Sequence, residues 1–139
     1  MSNSQSIESL FGKEELIENN PHFNKEFYLK GLVQEDDNVD VHVGSVTFLP
    51  GCRNNWHIHH DGYQLLLVTN GTGWYQEEGH TPQLLNKGDV VVIHEGIKHW
   101  HGATSNTKFT HLAITKGTTQ WCEEVSDEQY NALEKEISK

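Results

Sequence analysis

The chain has 139 residues, which suits one domain and allows a core that needs no disulfide or metal to hold it. Ten Lys and Arg against twenty Asp and Glu give a formal charge of -10. Such a surface repels phosphate backbones and anionic lipid, since binding either needs a basic face that releases counterions; nucleic acid and membrane are set aside as partners, and a small-molecule substrate is expected.

The opening thirty residues lack the basic start and apolar run of a secretory signal, and no eighteen apolar residues follow one another, so a cytoplasmic location is expected. A short helix is expected over Ile7 to Ile17. β-rich runs then recur in order: EFYLKGLV, VHVGSVTFL, WHIH, QLLLVT, GWYQEE, DVVVIH and FTHLAIT. Between them fall Pro50-Gly51, Asp61-Gly62, Asn70-Gly71, Glu78-Gly79 and Lys87-Gly88, at the roughly ten-residue spacing of small antiparallel sandwiches and barrels. EFYLKGLV, standing before the core, is expected to pair with a partner's edge and make a homodimer. Ser126 and Gln129 form a capping box, which predicts a helix starting at Asp127. Cys52 and Cys122 are distant and outside any CxxC pair, so both are read as reduced thiols. No repeat or linker divides the chain.

The stretch WHIHHDGYQ concentrates three histidines and a glutamine. In a strand His57 and His59 point to one side and Ile58 to the other, and Gln64 opens the next run across a turn at Asp61-Gly62. IKHWHG repeats the spacing, with His99 and His101 on one face and Trp100 opposed. If these strands line one barrel, four imidazoles and an amide share its interior. Each buried polar group without a partner costs about 1 to 3 kcal/mol, and a divalent metal satisfies several at once. A single histidine is more often structural or exposed, and His60 is expected in solvent; two HxH pairs with an intervening glutamine reverse that reading. His22, His42 and His80 are assigned no role, and Trp74 and Trp100 are expected to pack the sandwich or a subunit contact.

The stretch GCRNNWHIHHDGYQLLLVTNG, residues 51–71, resembles the first cupin motif, and GDVVVIHEGIKH, residues 88–99, resembles the second. With GTGWYQ, THLAI and WCEEVSDEQY, the chain is similar to small single-domain bacterial cupins, among them manganese-dependent hydroxynitrile lyases. The resemblance implies an all-β cupin fold, a double-stranded β-helix or jelly roll, with a barrel over about 40–116, an N-terminal extension over 1–25 and a C-terminal helix over about 127–138. It also implies one divalent metal ion held by His57, His59, Gln64 and His99, manganese first, with iron, nickel, cobalt and zinc as other candidates. His101 and His111 match positions that face the open side of that metal and are the candidate catalytic residues. The chain departs from the motif in three places: His94 stands where proline is usual, Ala103 replaces an asparagine, and four residues rather than three separate His59 from Gln64.

Such a site, with no ligand charge to offset the metal, keeps high Lewis acidity. His101, whose ordinary pKa lies near 6.5, is expected to exchange a proton near neutral pH. The leading reading is a metal-dependent lyase of the hydroxynitrile type. The alternatives are a cupin dioxygenase and a non-catalytic small-molecule-binding cupin.

Overall fold

The computed structural model describes residues 5–34 and 37–137. Its strands are β1 (Ser6–Ser9), β2 (Gly12–Ile17), β3 (Phe27–Val33), β4 (His42–Phe48), β5 (His57–Gly71), β6 (Gly73–Glu77), β7 (Gln83–Leu85), β8 (Val90–Ile93), β9 (His99–Ala103) and β10 (Phe109–Trp121), followed by one helix, α1 (Asp127–Ile137). The strands form one curled sheet in the order β1-β2-β3-β4-β10-β5-β9-β6-β7, with β8 on the free part of β5.

Three expectations are corrected. Ile7 to Ile17 is a hairpin, β1 against β2 with Ile7 opposite Glu14, and not a helix. Gly12, at φ 105, turns the chain there, and a glycine inside a helix costs about 1 kcal/mol relative to alanine. EFYLKGLV does not wait for a partner's edge: β3 pairs antiparallel with β2 on one side and β4 on the other. The reason for expecting a dimer through that strand therefore falls away. Asp61-Gly62 does not reverse the chain, because WHIH and QLLLVT are two halves of the 15-residue β5.

What happens at Asp61 is a local irregularity. Asp61 has φ 60, and the pairing of β5 with β10 slips between Lys116 and Thr118. A Cβ on Gly62 would lie 2.0 Å from the Lys116 carbonyl oxygen, and one on Gly117 would lie 2.1 Å from that of His60. Two glycines thus let the backbones touch, and the slip sets the phase of Gln64 relative to His59.

Two apolar clusters hold the sheet. Phe27, Phe48, Leu66, Val68, Tyr75, Ile93 and Phe109 fill the interior. Trp56, Trp74, Trp100, Val125 and Tyr130 form a second cluster beneath α1. The helix begins as expected, Gln129 N donating to Ser126 Oγ at 3.1 Å, and it docks by Tyr130 Oη donating to the Ala103 carbonyl at 2.6 Å and Trp74 Nε1 donating to Glu134 at 2.7 Å. Trp74 and Trp100 therefore pack within the chain. No helix among the described residues is long and apolar enough to cross a membrane.

Candidate metal centre

Strand pairing brings the first histidines together. β5 and β9 run antiparallel with His57 opposite His99, and their ring centroids are 4.1 Å apart. In that register, two steps along β5 and two steps along β9 lead in opposite directions. His59 and His101 therefore flank the His57–His99 pair on different sides. His59 lies toward Gln64; His101 lies toward His111, with ring centroids 4.9 Å apart, and both pack against Phe48. The direction of the strands thus puts one histidine of each HxH pair on either side of the His57–His99 pair.

The hydrogen bonds then set which ring nitrogens face inward. His57 Nδ1 donates to the Asn55 carbonyl at 2.7 Å, and His99 Nδ1 donates to the Ile97 carbonyl at 3.0 Å. A neutral imidazole has one N–H, so in both rings Nε2 is left with its lone pair. Gln64 Nε2 donates to Thr115 Oγ1 at 3.0 Å, which turns its oxygen inward. That oxygen is 3.1 Å from His59 Nε2 and 3.4 Å from His99 Nε2. The longer spacing before Gln64 does not keep the amide from reaching His59. Thr119 Oγ1 lies 3.2 Å from His59 Nδ1 and holds the ring from behind.

His99 Nε2 and Gln64 Oε1 are thus two acceptors facing one another. Protonation of His99 does not resolve the clash at neutral pH, because burial pushes its pKa down to about 4. A cation between them does, and neutral imidazoles with an amide oxygen are a donor set that divalent transition metals accept. The residues present fit a metal ion. Among His, Cys and carboxylate side chains of the described residues, His57, His99 and His101 form the group that could hold one, with ligand atoms all within 4.8 Å of one another. Of the expected donors, Gln64 lies beside both His59 and His99, and His57 lies beside His59 and His99; His101, expected as the acid or base, joins His57 and His99 in the group that could hold an ion.

All the rings of the site are buried, and burial governs their charge. Desolvation holds His57 and His101 well below the ordinary imidazole value, helped by the neighbouring imidazoles, and lowers His59 as well. Burial alone takes His111 down to about 3. The expectation that His101 exchanges its proton near neutrality is corrected: at pH 7 it is a neutral ring, an acceptor at one nitrogen. His111 Nδ1 has no hydrogen-bond partner among the described residues. Asn54 holds His101 in place, its Oδ1 accepting from the His101 backbone N–H at 3.0 Å and its Nδ2 lying 3.3 Å from ring Nε2.

The histidines lie at the end of a cavity of about 270 Å³. Its polar end carries His57, His59, Gln64, His101 and His111, and its walls include Phe23, Phe27, Leu29, Val46, Phe48 and Trp121. Sequence reasoning missed Asn54 and every wall residue, because apolar side chains in strands look alike whether they line a core or a cavity. The remaining histidines sit elsewhere. His94, in the proline position, is exposed in the turn before Ile97 and does not line the cavity. His60, expected in solvent, is half-buried and bonded to Gln120. Cys52 is buried in the main cluster with its thiol pushed up to about 12, and Cys122 is also unpaired.

Fold and site together define a cupin: residues 44–115 match the Cupin domain family, and the chain belongs to it. The chain is 48% identical over 103 residues to an (R)-mandelonitrile lyase of Granulicella tundricola, covering 71% of this chain and 78% of that protein. A cupin-like protein of Thermotoga maritima superposes with a TM-score of 0.77 at 37% identity, over 82% of this chain and 89% of the other. A DMSP lyase of Ruegeria pomeroyi superposes with a TM-score of 0.60 at 21% identity, over 73% of this chain and 54% of that one, a likeness of fold alone.

Proposed function

We propose that this cupin is a metal-dependent lyase that cleaves or forms a carbon–carbon bond beside a hydroxyl-bearing carbon, with an α-hydroxynitrile as the concrete substrate. One observation carries the reading: the two facing acceptors, His99 Nε2 and Gln64 Oε1, with Gln64 lining a cavity whose walls are largely apolar. The similarity to a mandelonitrile lyase supports the substrate class.

His57, His59, Gln64 and His99 would hold the ion, manganese by preference. Bound there, it would supply Lewis acidity toward a substrate oxygen, undiminished by any carboxylate donor. The chain's own residues do the rest. His101, neutral and held by Asn54, takes the hydroxyl proton at a ring nitrogen as the bond to the nitrile carbon breaks, leaving a carbonyl compound and cyanide. The same nitrogen returns the proton to cyanide, so hydrogen cyanide leaves and the ring is neutral again. His111 stands beside His101, with ring centroids 4.9 Å apart. Phe48 and the other wall residues exclude water from the departing group.

The test is release of cyanide and benzaldehyde from mandelonitrile by protein loaded with manganese, with and without oxygen. The expected result is metal-dependent release at equal rates in both atmospheres. No release from fully loaded protein overturns the reading, and a rate lost without oxygen replaces it with a dioxygenase.

A further inference from the structure

The family match spans residues 44–115, yet the cavity is also lined from both flanks of that span. Asn20, Phe23 and Phe27 reach it from the N-terminal side, and Thr119 and Trp121 from the C-terminal side. Access to the metal centre is therefore shaped by segments that the family match does not include.

One contact there is unusual for a surface loop. The His22 imidazole lies flat on the Trp121 indole, with ring centroids 4.3 Å apart and planes 3° from parallel. The same indole is 4.7 Å from the His57 ring and 5.9 Å from Phe23, tilted 59° to the latter. Phe23 in turn stacks on Phe27 at 4.1 Å. His22 does not drift, because its backbone is tied at both ends: its N–H donates to Asn20 Oδ1 at 2.9 Å, and its carbonyl accepts from Asn55 N at 2.8 Å. Asn19, at φ 60, turns the chain so that this loop closes over β10.

Resting on the reading of this cavity as a substrate site, we propose that Phe23 and Trp121 select the organic group the site accepts, preferring a flat aromatic ring to a saturated group of the same size. His22 is a positioning residue that holds the indole in the cavity wall. The argument is one of shape and quadrupole. A ring in the cavity that Phe23 and Trp121 both line meets aromatic side chains on its wall, and such contacts add to simple area burial by about two- to tenfold in affinity. A saturated group of the same size fills the space without that gain. The indole keeps its angle only while something flat lies on its other contact surface, which is the place His22 occupies.

The experiment uses binding, so that it stands apart from turnover. Affinities of benzyl alcohol and of cyclohexylmethanol, which match in size and carry no nitrile, are measured by calorimetry on manganese-loaded protein with metal content checked. Wild type is expected to favour benzyl alcohol by about tenfold. Trp121→Leu and Phe23→Leu, which keep apolar bulk and so preserve folding, are expected each to cut that preference several-fold with metal occupancy unchanged. His22→Ala is expected to cut it too, and His22→Phe, which restores a flat ring, to return it. An unchanged preference in both leucine variants overturns the selection, and His22→Phe behaving like His22→Ala overturns the positioning role. If wild type selects the aromatic alcohol yet releases no cyanide from mandelonitrile, the lyase reading fails and this one stands.

Discussion

His99 illustrates how much of a buried site is decided by one hydrogen bond. Its Nδ1 proton is spent on the Ile97 carbonyl, so the nitrogen facing Gln64 is a lone pair whatever the rest of the cavity does. His57 repeats the device with Asn55. His101 has no such carbonyl; its ring is approached by the Asn54 amide from one side and His111 from the other. On the function proposed above, His101 carries the proton while the other donors hold the metal, and this yields a prediction. His99→Ala and His59→Ala are expected to lose both metal and activity, whereas His101→Ala keeps the metal and lowers turnover by roughly 10² to 10⁴. Metal analysis beside kinetics decides it. If His101→Ala emptied the site while His59→Ala kept it filled, the ion would belong to the His57, His99 and His101 group.

At the scale of the element, β5 does the most. It carries His57, His59 and Gln64 on one continuous strand, and the irregularity at Asp61 and Gly62 lets a five-residue spacing place His59 and Gln64 on the same side. Simple alternation would put them on opposite faces. Gly62→Ala forces a Cβ into the Lys116 carbonyl, 2.0 Å away, so one backbone must move. The expected cost is about 1 to 3 kcal/mol or more, as for other forced overpacking, read by denaturant titration, together with weakened metal binding as Gln64 loses its phase. Full stability with normal metal content would show the slip to be dispensable. The helix α1 offers a pH test. Burial alone would raise the Glu134 carboxyl, but hydrogen bonds from Ser105 and Trp74 outweigh it and hold the group below its ordinary value. A lowered carboxylate contributes stability that is present above the unfolded value near 4.5 and is lost as pH falls through the folded one. Trp74 fluorescence should therefore report loosening of α1 only in acid, and Glu134→Gln should remove that dependence.

For the whole molecule, the question is what the metal holds up. The interior cluster around Phe48, Leu66 and Phe109 is apolar and meets the site only through ring contacts of Phe48 and Phe109 with His101 and His111, so chelation is expected to leave the protein folded with a lower melting temperature, the shift following ligand linkage. Loss of a cooperative thermal transition on chelation would make the ion structural. The metal-free protein should also be acid-sensitive. His99 and His111 fold with values of about 4 and 3 against an unfolded value near 6.5, so below pH 6.5 the unfolded chain binds protons that the folded one refuses. Stability is full above pH 6.5 and falls as pH drops toward those values, which melting curves across that range would check.

The sequence alone disclosed the all-β class, the strands from EFYLKGLV to FTHLAIT, the start of α1 at Asp127 and the cluster of polar donors. Those signals are local: a capping box, glycine punctuation and the expense of burying several histidines together are all legible without knowing what packs against what. It misread Ile7 to Ile17 because Lys13, Glu14, Glu15 and Leu16 favour a helix by composition, while a single glycine and the pairing with β3 decide for strand. It read a reversal at Asp61-Gly62 where the chain continues, because a turn and a bulge use the same residues. Only the tertiary structure could set His57 opposite His99, send His59 and His101 to different sides, aim the Gln64 oxygen and bring His22 onto Trp121. Each of these depends on register between strands distant in the chain, and register is set by the packing of the whole sheet.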